Sequence, residues 1–268
     1  MKMHARVAVS LWLLLTSACG HANSVSPEIA LAKTEAPTGP HTVVVFATAS
    51  LREPFEALAR RYETDHPGAK VDLHLDGGAQ LFAQCNGGAT VDVLAIGDSS
   101  LMSRFASGAL LASSSPTELA RNRLAMAVAA GNPKKIETLQ DLARADVRTV
   151  LGNRSSSIGR HSRWVLSRRQ IVIAPVLETN TAAAALATVQ AGEADAAIVY
   201  ATSFRSALGV MVVPLPEADN TPVLYSISVA RGAAEPLGAK AFRSLALSEV
   251  GQGILQTSGF LPIGSKAP

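Results

Sequence analysis

Residues 43–51 read VVVFATASL, and this stretch decides how the rest of the chain is organised. Four apolar residues with strong β propensity run directly into small residues and a serine, a pattern typical of a buried strand followed by a tight turn. Apolar side chains then recur at helical spacing, at Leu51, Phe55, Leu58, Ala59 and Tyr62. The stretch therefore predicts a strand–turn–helix unit with Ser50 at the N-cap of the helix.

The turn of this unit is a candidate anion site. The first N–H groups of a helix have no partner within the helix and carry the positive end of its dipole. A short turn of small residues lets an anion reach them. A serine that only caps its helix is the simpler interpretation of Ser50, and at this point both interpretations stay open.

The first forty residues do not read as part of the fold. Lys2 and Arg6 precede an apolar run that ends in small residues and Cys19, so we predict a signal peptide over residues 1–19. The run is shorter than the about 20 apolar residues that a membrane-spanning helix needs. Its end resembles a bacterial lipobox, in which Cys19 becomes the lipidated N-terminus, and ordinary signal cleavage is the alternative. Residues 20–40 are rich in Ser, Pro and Gly and are predicted to be a flexible tether.

Composition narrows the class of protein. Removal of Lys2 and Arg6 with the signal peptide leaves 22 basic and 21 acidic side chains, a net charge of only +1. Basic residues do not alternate with aromatic ones, so no nucleic-acid partner is predicted. Cys85 is the single cysteine after Cys19, which excludes a disulfide framework within the fold.

The remainder of the chain alternates between strand and helix patterns, which predicts an α/β protein with largely parallel sheets. Small turns follow several of the strands, and open α/β sheets bind ligands at the carboxyl ends of their strands. Further strand patterns lie at residues 71–75, 91–96, 124–130, 147–151, 196–200, 210–213 and 223–229.

Catalytic and metal-binding motifs do not emerge from the sequence. The histidines lack metal-ligand spacing, and no nucleophile elbow or P-loop is present. Cys85 reads most simply as a small buried side chain. What remains is a set of neutral donors at turns, namely Ser50, Gly78, Ser156, Ser157, Thr181 and Tyr200. A desolvated, fully ionised oxyanion needs several N–H and O–H donors and no nearby carboxylate, so this set suits such a ligand.

Four short segments carry a resemblance to a known family. They are VVVFATASL at 43–51, VDVLAIGD at 91–98, AIVYATS at 197–203 and QTSGF at 256–260. In this order they resemble the molybdate-binding proteins of ABC transporters. The resemblance implies a bilobal periplasmic-binding-protein fold, with two α/β lobes, mainly parallel sheets and a ligand cleft between them. Lobe 1 would comprise residues 41–125 and 216–268, and lobe 2 residues 126–215.

The resemblance also implies a function without catalysis or cofactor. The protein would be exported to the periplasm or the outer face of the cell membrane and would capture molybdate, together with tungstate. A monomer would then deliver the anion to an ABC permease and ATPase, and its only contact with the membrane would be a lipid anchor at Cys19.

Carried over by position, the resemblance implies the ligand contacts. Ser50 would offer its hydroxyl and N–H, Ile158 and Ala182 a backbone N–H each, and Tyr200 its phenol. Gly78 stands where the family usually has a serine, so it would offer only its N–H.

Three alternatives stay open. The first is the same fold with another small oxyanion or an organic acid as its ligand. The second is an exported enzyme that uses Cys85 or His74. The third is an envelope sensor or interaction domain.

Overall fold

The computed structural model describes residues 39–113, 116–205, 207–220 and 222–265. The predicted signal peptide (1–19), its Cys19 and nearly all of the predicted tether (20–40) lie outside the described residues. Within the described ranges, no helix is both long enough and apolar enough to cross a bilayer.

Strands and helices alternate along most of the described chain, as predicted. The strands are β1 (His41–Thr48), β2 (Ala69–Asp76), β3 (Val93–Ile96), β4 (Thr117–Asn122), β5 (Leu124–Ala129), β6 (Thr149–Gly152), β7 (Leu177–Thr179), β8 (Ala196–Tyr200), β9 (Val210–Pro214) and β10 (Val223–Val229). The α-helices are α1 (Arg52–Asp65), α2 (Gly78–Asn86), α3 (Ser99–Ser107), α4 (Ser157–Arg168), α5 (Ala182–Gln190), α6 (Pro236–Leu247) and α7 (Glu249–Thr257).

The strands form two five-stranded sheets, in the orders β2-β1-β3-β10-β4 and β7-β6-β8-β5-β9. This architecture confirms the α/β class with two lobes. The sheets are mixed rather than mainly parallel, because β10 pairs antiparallel with β3 and β4, and β5 pairs antiparallel with β8 and β9. Parallel neighbours need a crossover connection, usually a helix. β5 and β10 instead enter their sheets directly from the other lobe.

The chain passes between the sheets twice. Arg123 alone links β4 to β5, and residues 215–222 link β9 to β10. The Asn220 side chain ties the two crossings together, since its Oδ1 accepts from Leu124 N at 2.9 Å and its Nδ2 donates to Leu124 O at 2.7 Å. The two interlobe segments therefore run side by side. The lobe bounds given above, 41–125 with 216–268 and 126–215, stay a prediction.

The helical pattern that follows residue 50 forms the core of the first lobe. Leu51, Phe55, Leu58 and Tyr62 are completely buried against the first sheet. Helices α2 and α3 contribute to a second cluster, which contains Phe46 and also Leu81, Leu94 and Phe105. Alternate residues of β1 point to opposite faces of the sheet, and helices pack on both faces. The carboxyl end of the strand is not covered by these helices.

Candidate functional site

A cleft of about 420 Å³ opens between the two lobes. The turn after β1 and the start of α2 line it from the first lobe. The starts of α4 and α5 and the end of β8 line it from the second. The structure places all five predicted contact residues in its lining, namely Ser50, Gly78, Ile158, Ala182 and Tyr200. Their contact with a ligand stays a prediction.

Three helix N-termini meet at this cleft. Gly78 and Ala182 are the first residues of α2 and α5, and Ile158 is the second residue of α4. In α4 and α5 the capping side chain satisfies the N–H of the third helical residue. Ser156 Oγ accepts from Gly159 N in α4, and the Thr181 side chain accepts from the corresponding N–H in α5, both at 3.1 Å. Backbone N–H groups nearer the cleft are thus left for an anion.

Ser50 is not the N-cap of α1, so that prediction is wrong. A 3-10 turn over Ala49–Leu51 separates β1 from α1, which moves the N-cap to Leu51. Ser50 Oγ instead lies 2.9 Å from the hydroxyl of Tyr225 on β10. Burial raises the pKa of Tyr225 to about 12, with hydrogen bonds from Ser50 and Asn122 opposing it. A neutral phenol from another strand therefore positions the Ser50 hydroxyl at the cleft.

Tyr200 ends β8 and is only 4% exposed. Burial, followed by the electrostatic influence of the Tyr225 phenol and the Asp98 carboxylate, raises the pKa of Tyr200 well above its usual range. Its hydroxyl lies 3.5 Å from Nδ1 of His161, and burial lowers the pKa of that imidazole although Asp98 opposes the shift. At neutral pH the Tyr200 phenol in the cleft lining and the imidazole beside its hydroxyl are therefore both uncharged.

An ion pair joins the two lobes near the cleft. Arg160 of α4 pairs with Asp98, the N-cap residue of α3, and its Nε lies 3.0 Å from Asp98 Oδ2. The Asp98 side chain is 4% exposed and also accepts from Leu101 N at 2.9 Å. Burial acts to raise the pKa of Asp98, but the Leu101 N–H and Arg160 outweigh it and lower the pKa. Neither Arg160 nor Asp98 belongs to the lining of the cleft, so the pair joins the lobes without contributing a surface to the cleft.

The cleft also has acidic residues in its lining, which the sequence analysis did not anticipate. Glu56 lies 3.5 Å from Arg52 Nη1, and Glu53 lies 3.6 Å from Arg205 Nε. Asp76, at the end of β2, accepts from the following N–H at 2.6 Å. Carboxylates in the lining depart from the expectation of an oxyanion site without a nearby carboxylate, although each has a donor of its own. The spacing of Arg52 and Glu56 on one exposed helix face was the available signal for the first pair.

Uncharged side chains that were also not predicted complete the lining. The Thr202 hydroxyl accepts from Asn122 Nδ2 at 2.9 Å, which connects the turn after β8 to the end of β4. This turn lies at the carboxyl end of a strand, and that position could have indicated from the sequence that Thr202 lines the cleft. The other polar members of the group are Thr48, Asn180, Gln190 and Ser203, whereas Ser157 and Thr181 of the lining were already named from the sequence.

The two residues considered for catalysis lie elsewhere. Cys85 is buried in α2, where burial raises the pKa of its thiol to about 11. His74 lies on β2 with Nε2 3.1 Å from Asp72 Oδ2. Neither lines the cleft. In the part of the chain that the structure describes, no group of three or more His, Cys, Asp or Glu side chains is arranged to hold a metal ion.

Comparison with known proteins shows which family this chain matches. The family described as bacterial extracellular solute-binding protein matches residues 43–261. A molybdate-binding protein of Mycobacterium tuberculosis (strain H37Rv) is 34% identical over 223 residues, which cover 83% of this chain and 85% of that protein.

Solved structures agree on the fold. A sulfate-binding protein of Mycobacterium tuberculosis superposes with a TM-score of 0.71 at 16% identity, over 84% of this chain and 88% of the other. The periplasmic molybdate-binding protein of Azotobacter vinelandii gives 0.68 at 18% identity, over 82% and 98%. These likenesses confirm the predicted two-lobe periplasmic-binding fold.

Proposed function

Because the chain belongs to the bacterial extracellular solute-binding protein family, we propose that it captures molybdate outside the cytoplasmic membrane for an ABC importer. One observation carries the proposal: separate segments of both lobes bring uncharged N–H and O–H donors to a single cleft. The molybdate-binding protein from Mycobacterium tuberculosis, at 34% identity, supports the choice of ligand.

The donors act together on one anion. The hydroxyl and N–H of Ser50, the N–H groups of Gly78, Ile158 and Ala182, and the phenol of Tyr200 would each donate to a ligand oxygen. Hydrogen bonds to an ionised acceptor are about twice as strong as neutral ones, and a closed cleft with little water strengthens them further. Fixed donors also select the fully ionised ligand, because the O–H of a protonated one would find no acceptor.

Ligand size separates the candidate anions. Tungstate has the charge and tetrahedral shape of molybdate, so we propose that it binds as well. Sulfate shares the charge but is smaller, and donors placed for the larger anion would hold it poorly. Closure of the lobes follows from the difference in affinity between the open and closed states.

The protein performs no chemistry in this proposal and needs no cofactor. It is a monomer that hands its ligand to the permease and ATPase subunits of the importer. The signal peptide over 1–19 directs export, and lipidation of Cys19 anchors the protein to the membrane.

A second candidate keeps the fold and changes the ligand to another small oxyanion or an organic acid. The cleft favours it in one respect. If each oxygen of molybdate takes about the 30 Å³ of a water molecule, its four oxygens fill much less than the cleft volume of about 420 Å³.

Isothermal titration calorimetry decides between the candidates. The purified protein, dialysed free of anions, is titrated with molybdate, tungstate and sulfate at neutral pH. One-to-one binding of molybdate and tungstate without heat from sulfate supports the first proposal. No heat from molybdate or tungstate, with a folded circular dichroism spectrum, refutes it and leaves other anions and organic acids to be titrated.

A further inference from the structure

Three consecutive serines open helix α4, and their hydroxyls are used differently. Ser155 Oγ donates to Asn153 Oδ1 at 2.8 Å. Ser156 Oγ donates to Asn153 O at 2.9 Å and accepts from Gly159 N at 3.1 Å. Only Ser157 of the three lines the cleft. The first two hydroxyls therefore shape the turn, and the third is available for another purpose.

The Ser157 hydroxyl accepts one hydrogen bond at its oxygen and can still donate its hydrogen. Arg160 Nη2 donates to Ser157 Oγ at 3.4 Å, while the same guanidinium is paired with Asp98 of the other lobe. Among the described residues, this hydroxyl donates no hydrogen bond to another protein group. A hydroxyl that accepts from a charged donor is itself polarised as a donor. The proton of Ser157 is therefore free for a group in the cleft.

Gly78 faces this hydroxyl from the first lobe. A β-carbon added at residue 78 would lie 3.6 Å from Ser157 Oγ and 2.5 Å from Leu101 Cδ2. A β-carbon there would overlap Leu101, which already fills that position, and would be in ordinary van der Waals contact with Ser157 Oγ. The starts of α2 and α4 therefore face each other closely, and no side chain of residue 78 stands between Ser157 and the first lobe.

We propose that Ser157 is a specificity-determining residue whose hydroxyl donates to the oxyanion bound in the cleft, where the starts of α2 and α4 face each other. The inference rests on the proposed function and adds a donor to it. Arg160 takes up one of the two lone pairs of the Ser157 oxygen, and the hydroxyl hydrogen remains for the ligand. The hydroxyl therefore favours a fully deprotonated oxyanion over a ligand that carries its own O–H at this position.

Calorimetric titration with molybdate tests this assignment on the parent protein, Ser157→Ala and the matched control Ser155→Ala. Loss of a hydrogen bond to a charged ligand should raise the Kd of Ser157→Ala about ten- to a hundredfold. Ser155→Ala should bind like the parent. Equal Kd values for Ser157→Ala and the parent overturn this inference and leave the proposed function standing. A parent protein that does not bind molybdate overturns both.

Two further measurements separate a ligand contact from a support for Arg160. Ser157→Thr keeps the hydroxyl and should restore most of the lost affinity. The Tm of Ser157→Ala without ligand should match that of the parent, while the rise caused by a fixed concentration of molybdate should be smaller, since that rise depends on the Kd. A lower ligand-free Tm with an unchanged Kd would assign the serine a structural role and overturn the inference.

Discussion

Replacement of Tyr200 by phenylalanine removes one oxygen from the wall of the cleft and leaves its shape intact. Without ligand, that hydroxyl has one described contact, 3.5 Å from His161 Nδ1, which is at the limit of hydrogen bonding. The ring remains packed at the end of β8, where it is 4% exposed. We therefore expect the free energy of unfolding of the ligand-free variant to change by less than about 1 kcal/mol.

The effect on ligand binding should be larger. A hydrogen bond from a neutral donor to a charged group contributes about 1.5–3 kcal/mol, and each 1.4 kcal/mol is about a tenfold change in Kd. Tyr200→Phe should therefore weaken molybdate binding about ten- to a hundredfold. Because the pKa of Tyr200 lies well above its usual range, its hydroxyl stays a donor throughout the neutral and mildly alkaline range. The ratio of the two Kd values should then be constant with pH.

Calorimetry on the parent and on Tyr200→Phe, combined with thermal unfolding of both proteins without ligand, provides the test. An unchanged Kd in the variant would remove Tyr200 from the site. A large loss of ligand-free stability would show instead that the hydroxyl supports the fold, and the argument from its single long contact would be refuted.

Three further predictions follow from the same geometry. Ser50→Ala should weaken molybdate binding at least tenfold in calorimetry, and a Kd equal to that of the parent would exclude the Ser50 hydroxyl as a contact. Burial lowers the pKa of His161 below its usual 6.5, so the unfolded chain binds a proton that the folded protein does not, and stability should fall as the pH drops below that value. The Tm measured at about pH 7.5 and about pH 5.5 should therefore differ less in His161→Asn than in the parent, and an equal difference would refute the assignment. Cys85, with its pKa raised to about 11 by burial, should resist iodoacetamide in the folded protein at about pH 8 and react after urea is added; rapid labelling of the folded protein would favour the thiol enzyme.

Most of the helices and strands could be predicted from the sequence, because buried side chains recur at the period of the helix or strand that carries them. The helical spacing from Leu51 to Tyr62 identified side chains that are all buried in α1 or just before it, apart from the half-buried Ala59. Strands without such a periodic apolar pattern were not predicted. β4 (Thr117–Asn122) carries Glu118 and Arg121, which form an ion pair, and β7 is three residues long with its side chains largely exposed.

The site was predictable in part for the same reason. Turns at strand ends mark where a ligand can bind, so Gly78, Ile158 and Ala182 could be placed there from local patterns and the resemblance. The partners of those turns depend on packing between distant segments. Ser50 contacts Tyr225, 175 positions away, and Arg160 contacts Asp98, 62 positions away. No local pattern encodes such pairs, so the N-cap assignment for Ser50 was wrong and the ion pair was not foreseen.

The place of β10 in the first sheet has a consequence for how the chain folds during synthesis. β10 (Val223–Val229) lies between β3 and β4, although it comes after every strand of the second sheet. A growing chain that ends just before residue 223 can complete the second sheet, while the first is still divided into a β2-β1-β3 part and an isolated β4. The second lobe can therefore fold first, and the first lobe can complete its sheet only after β10, an interior strand of that sheet, has been synthesised.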